Sequence, residues 1–121
     1  MNNEPIPMPS PNRLIHEPAR LAILTILSSC ASADFVFIQG ATGLSKGNLS
    51  VQLTNLEQAG MVNITKEIID KKVRTVIRLA QRGAVEIEEY WRIMDQIRAR
   101  MSDNPQPRNS FTQPAPYPAP G

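Results

Sequence analysis

The side chains that could do chemistry are few and of one kind. His16 and Cys30 are the single histidine and the single cysteine of the 121-residue chain. One of each supplies no nucleophile–base pair, no cysteine zinc site, no His-rich metal cluster and no disulfide framework. His16 reads as a local hydrogen-bonding group and Cys30 as a small buried hydrophobe. Gly40-Ala41-Thr42-Gly43 lacks the strand–helix setting and the Lys-Ser/Thr end of a phosphate-binding loop. These features argue against an enzyme and call for no cofactor or metal. What remains is a run of short polar side chains from Ser45 to Asn55 and a cluster of cations from Lys66 to Arg78. Such groups hydrogen-bond base edges and neutralise phosphates.

The charge is local. The chain carries a net +2, but residues 61–79 alone hold Lys66, Lys71, Lys72, Arg74 and Arg78 against Glu67 and Asp70. A basic segment of this kind is either a solvated loop or an element aimed at a polyanion.

The elements that must position these groups follow from periodicity. Prolines crowd residues 1–12 and 105–121, predicting an extended or disordered Pro-rich arm (1–12) and tail (103–121) around one domain over residues 13–102. Phe111 and Tyr117 are two sticky points in that tail. Pro18 suits a first helical position, and the helix after it is apolar over most of its surface, so it is central or meets a second subunit. Asp34 caps a second, short helix, whose Phe35, Val36, Phe37 and Ile38 supply core contacts and which Gly40 and Gly43 weaken and end. Ser45 caps a third helix that stops at Gly60, with Leu49, Leu53 and Leu56 on one face. Its opposite face carries Gly47, Val51, Thr54 and Gln58, flanked by Ser50 and Asn55, with Lys46 and Asn48 on the first turn. Met61–Lys66 and Val73–Leu79 alternate as strands of a hairpin with a charged tip at Asp70-Lys71-Lys72. A last helix, from about Arg82 to Met101, spaces Val85, Ile87, Tyr90, Trp91, Met94, Ile97 and Met101 at threes and fours. That stripe packs either on its own domain or on a second copy, and the size of Trp91 with two methionines favours the second copy.

The order helix, short helix, tight turn, helix, hairpin, helix is mainly α with a small β-hairpin (α+β), α-α-α-β-β-α. Leu44-Ser45-Lys46-Gly47-Asn48-Leu49-Ser50, then Leu53, then Leu56-Glu57-Gln58-Ala59-Gly60-Met61-Val62, resembles the winged helix-turn-helix transcriptional regulators of the MarR/ArsR-like group. Leu14-Ile15-His16-Glu17-Pro18-Ala19-Arg20-Leu21-Ala22-Ile23-Leu24 resembles their opening helix, and Arg74-Thr75-Val76-Ile77-Arg78-Leu79 their second wing strand. The resemblance covers roughly residues 13–101.

The resemblance implies a sequence-specific reader of double-stranded DNA. Its third helix, with Ser45, Lys46, Gly47, Asn48, Ser50, Val51, Gln52, Thr54 and Asn55, would enter the major groove. Its wing, with Lys66, Lys71, Lys72, Arg74 and Thr75, would touch the adjacent backbone or minor groove. The family places dimer contacts on the first and last helices, which names Leu21, Leu24, Ile87, Tyr90, Trp91, Met94, Ile97 and Met101. A homodimer would meet two half-sites about 34–36 Å apart. Three departures stand out: Gln52 where relatives often carry His, Asp70 and Val73 where they often carry Gly and Pro, and Ala80 where they usually carry a Thr cap. The alternative is a winged-helix module that binds protein, which a neutral or acidic wing would favour. No residue pattern marks a site for a small apolar effector, a partner that the MarR-like resemblance leaves open. No run of eighteen apolar residues and no signal pattern occurs, which predicts a cytoplasmic protein with no membrane partner.

Overall fold

A computed structural model describes residues 7–103. Seven elements follow in order: α1 (Pro18–Ser28), β1 (Ala33–Asp34), α2 (Phe35–Thr42), α3 (Lys46–Gln58), β2 (Val62–Ile69), β3 (Lys72–Leu79) and α4 (Gln81–Asp103). This is the expected α-α-α-β-β-α winged helix, with β1 added to the hairpin in the sheet order β1-β3-β2.

The helix ends are set by local hydrogen bonds. Glu17 caps α1, its carboxylate accepting from the N–H groups of Ala19 and Arg20 at 3.1 and 2.8 Å, with Pro18 at the first helical position. Burial raises the Glu17 carboxyl, but those two N–H groups and the Arg20 charge outweigh it, so the group lies below its ordinary range. Asp34 accepts from the Phe37 N–H at 2.7 Å and starts α2, and Gly43 ends it in the left-handed region at φ 72°. Ser45 accepts from the Asn48 N–H at 3.1 Å and starts α3. Gly60, at φ 76°, closes α3: its N–H reaches the Glu57 carbonyl and the Met61 N–H reaches that of Leu56, both at 2.9 Å. This double bond pattern satisfies the last carbonyls of α3 and turns the chain into the wing.

Leu49, Leu53 and Leu56 seat α3 on a core of Ile15, Ile23, Leu24, Leu27, Ile38, Met61, Val62, Ile77, Ile87 and Tyr90, all of them buried. The wing strands pair from Val62↔Leu79 to Ile69↔Lys72. β2 therefore runs three residues beyond the expected Lys66. Ile68 and Ile69 are exposed, so burial does not produce the alternation there, and strand pairing alone carries the ladder. The turn is only Asp70-Lys71, at φ 52° and 65°, the left-handed pair that a two-residue hairpin requires. Lys72 belongs to β3.

Several expectations are corrected. Cys30 is exposed, because α1 stops at Ser28 and the thiol lies in the turn beyond it, donating to the Ile26 carbonyl. Val36 and Phe37 are exposed, and α2 gives the core Ile38 with part of Phe35. Residues 7–12, expected to be extended or disordered, form no helix or strand. They run along α4, Asn12 donating to Glu86 at 3.3 Å and the Pro7 carbonyl accepting from Arg100 at 2.7 Å. Residues 1–6 and the tail, with Phe111 and Tyr117, lie outside the described residues. Leu24, Ile87 and Tyr90, expected at a dimer contact, are buried in the chain's own core. Tyr90 turns its hydroxyl to His16 Nδ1 at 3.0 Å, so His16 is a hydrogen-bonding group as expected, but its partner is distant, on α4. Among the described residues no helix is long and apolar enough to cross a membrane.

Candidate nucleic-acid interface

Once Leu49, Leu53 and Leu56 are buried, helical geometry turns Lys46, Gly47, Ser50, Val51, Thr54, Asn55 and Gln58 outward, and all are exposed. Ser50, Val51, Thr54 and Asn55 line a shallow depression of about 180 Å³ on this face. Residues 46–56 of α3 carry no carboxylate; Glu57, exposed and seven residues after Ser50, stands in the last turn of the helix on the Ser50 side. The Thr54 hydroxyl donates to the Ser50 carbonyl at 2.9 Å, so it is left as an acceptor toward an incoming ligand. Val51, more than half exposed, offers methyl groups of the kind that meet a thymine methyl.

Two expected readers are partly engaged inside the protein. Gln52 is half-buried; its Oε1 accepts from Arg20 Nη1 at 3.0 Å and its amide donates to Asn48 Oδ1 at 3.2 Å. Sequence reasoning missed Arg20, which lies on α1, thirty-two residues away, and no local pattern links the two.

The wing lies beside α3. An open groove of about 440 Å³ joins them, lined by Val36 and Gln39 of α2, Lys46 and Ser50 of α3, and Val73, Arg74 and Thr75 of β3. The wing's cations divide into two sets. Arg74 is 3.3 Å from Asp34, the cap of α2, and Arg78 makes a two-pronged pair with Glu67. The Arg78 hydrogen bond, aided by that of Thr65, holds the Glu67 carboxyl at about 2, and the same pair raises Arg78. Asp34 and Glu67 were also missed; their acceptors reach across the sheet. Lys66, Lys71 and Lys72, with Lys46 on α3, have no ion-pair partner among the described residues. The basic excess presented to solvent is therefore a lysine set, bordering the groove and tipping the wing. Thr75 lines the groove directly opposite Lys66.

The apolar stripe of α4 outlasts the core. From Trp91 onward no described side chain of α4 is buried. Trp91 and Met101 are exposed, and Met94 and Ile97 are half-buried, as is Leu21 on α1. Among the described residues no group of three or more His, Cys, Asp or Glu could hold a metal ion.

Comparison with known proteins agrees with this arrangement. The protein MJ0432 of Methanocaldococcus jannaschii is 28% identical over 78 residues, covering 64% of this chain and 85% of its own length. A transcriptional regulator homologue from Pyrococcus horikoshii OT3 superposes with a TM-score of 0.70 at 28% identity, covering 74% of this chain and 89% of that one. A MarR-family transcriptional regulator from Silicibacter pomeroyi shares the fold, with a TM-score of 0.57 at 22% identity over 78% of this chain and 63% of that one. Residues 19–98, from α1 to the last turns of α4, match the winged helix DNA-binding domain family, and the chain belongs to that family.

Proposed function

We propose that this protein is a homodimeric transcriptional regulator that reads double-stranded DNA by sequence. α3 lies in the major groove and the wing rests on the adjacent backbone or minor groove. The observation that carries this reading is the continuity of two surfaces. The exposed face of α3, small and without a carboxylate over residues 46–56, runs through the groove at Lys46, Ser50 and Thr75 into a wing whose lysines have no ion-pair partner among the described residues. Small residues let a helix approach base edges, and the lysines supply sequence-independent attraction to phosphates.

The dimer would form through Leu21, Trp91, Met94, Ile97 and Met101. A half-exposed tryptophan at the head of an apolar stripe that is nowhere fully buried, ending in the exposed Met101, supports that placement. Two-fold symmetry then sets two copies of α3 on half-sites one helical turn apart. Fluorescence anisotropy with a labelled duplex across a salt series tests the reading. Binding that weakens linearly in log salt and saturates at two chains per duplex is expected. No binding at low salt contradicts it.

A further inference from the structure

Arg20 is held from three sides. Its stem rises from α1, its Nε donates to the Leu14 carbonyl, and its Nη1 stands 3.8 Å from the Glu17 carboxylate that caps the same helix. Its side chain is only 18% exposed. The same Nη1 donates to Gln52 Oε1 on α3 at 3.0 Å.

A guanidinium can only donate, so Gln52 must turn its oxygen to Arg20 and its NH2 group away. That NH2 group then meets Asn48, one turn earlier on α3, and donates to its Oδ1 at 3.2 Å. The polarity passes down the chain: with its oxygen turned to Gln52, Asn48 is left with its NH2 donors toward solvent, on the first turn of α3. An unconstrained amide presents its oxygen or its nitrogen with nearly equal ease. Here one half-buried cation removes that choice twice in succession.

We propose that Arg20 is a positioning residue for base readout, fixing Asn48 through Gln52 as a hydrogen-bond donor aimed at the acceptor edge of a guanine. The inference rests on the reading of α3 as the element in the major groove. Guanine presents two acceptors there, N7 and O6, whereas adenine needs an acceptor as well as a donor from its partner. Lys46, on the same turn, is also donor-only. The first turn of α3 is thus matched to guanine, and Arg20 sets that match from outside the contact surface.

The test combines a binding selection from random duplexes with 15N-edited spectra of the side-chain amides of the free protein. For the wild type, one position of each half-site should be enriched for guanine. Arg20→Met should cut that preference about tenfold at that position alone, the low end of what one good base contact is worth, and should move the Gln52 and Asn48 amide resonances together. Arg20→Lys, still a donor, should restore both. Gln52→Glu keeps an acceptor for Arg20 but has no donor for Asn48. The Asn48 amide should then reverse and the preference should move to adenine or cytosine, with the fold held by a stronger ion pair. Variants that keep the wild-type profile and unmoved Asn48 resonances would overturn the relay while leaving the DNA reading intact. A wild type without sequence preference would overturn the DNA reading and this proposal with it.

Discussion

A Cβ on Gly83 would stand 2.1 Å from the carbonyl oxygen of Met61. That oxygen also accepts from the Ala80 N–H at 2.9 Å, and the Met61 N–H closes the end of α3. Met61 is therefore a joint at which α3 ends, the wing begins and α4 departs. Gly83 lets α4 press its first turn onto that joint, which fixes the direction of the long helix relative to α3 and the wing.

Gly83→Ala should cost about 1–3 kcal/mol of stability, because the obstacle is backbone and cannot rotate aside. Leu79 Cδ1, at 2.8 Å from the same position, closes the other side. Urea denaturation measures the loss; a variant as stable as the wild type would show that α4 moves freely at this joint.

Glu67→Gln should release Arg78 from its carboxylate partner. The variant should bind duplexes more tightly, with a salt slope steeper by about one phosphate contact, roughly 0.9 in log K against log salt. Salt titration of binding decides it, and an unchanged slope would mean that Arg78 does not reach the backbone.

The same pair makes stability depend on pH. The Glu67 carboxyl titrates at about 2 in the folded protein, below its ordinary 4.5. A group whose value falls on folding stabilises the fold above its unfolded value, and that help disappears as pH falls through the folded one. The wild type should therefore melt above Glu67→Gln at pH 6, with the gap closing between pH 4.5 and 2. A gap that persists below pH 2 would contradict the pairing.

Trp91→Ala should shift the protein toward monomer in sedimentation velocity with its secondary structure intact, since the side chain is 42% exposed and outside the core. Ile87→Ala, by contrast, should unfold the domain in part, at about 2–5 kcal/mol. A dimer untouched by Trp91→Ala would place the interface elsewhere.

Lys71→Ala with Lys72→Ala should weaken binding to all duplexes alike and lower the salt slope by nearly two contacts. Retention of the full slope would remove the wing tip from the contact surface.

The parts of this protein that were legible in its sequence are those written in short range. Asp34 and Ser45 bond to N–H groups three residues away, and Gly60 ends its helix by its own conformation, so residue type at one position was enough. The leucines of α3 marked one face and so revealed the other. What was illegible depends on distant partners. A two-residue strand such as β1 has no periodicity. The Arg20–Gln52 contact joins two helices, and the crowding at Gly83 comes from the Met61 carbonyl of another element. The apolar surface of α1 and α4 could not be divided by sequence between the protein's own core and a second copy. Burial assigns Leu24, Ile87 and Tyr90 to the core, packs Leu21 and Met94 partly against it, and leaves Trp91 and Met101 exposed. The lysines and arginines of the wing also looked alike until Asp34 and Glu67 were found beside the arginines.

The most direct measurement is the selection of bound duplexes from a random pool at two salt concentrations. The account predicts a pseudo-palindrome whose half-sites lie one helical turn apart, recovered at both salts. Weak binding that shows no sequence and vanishes at the higher salt would contradict it.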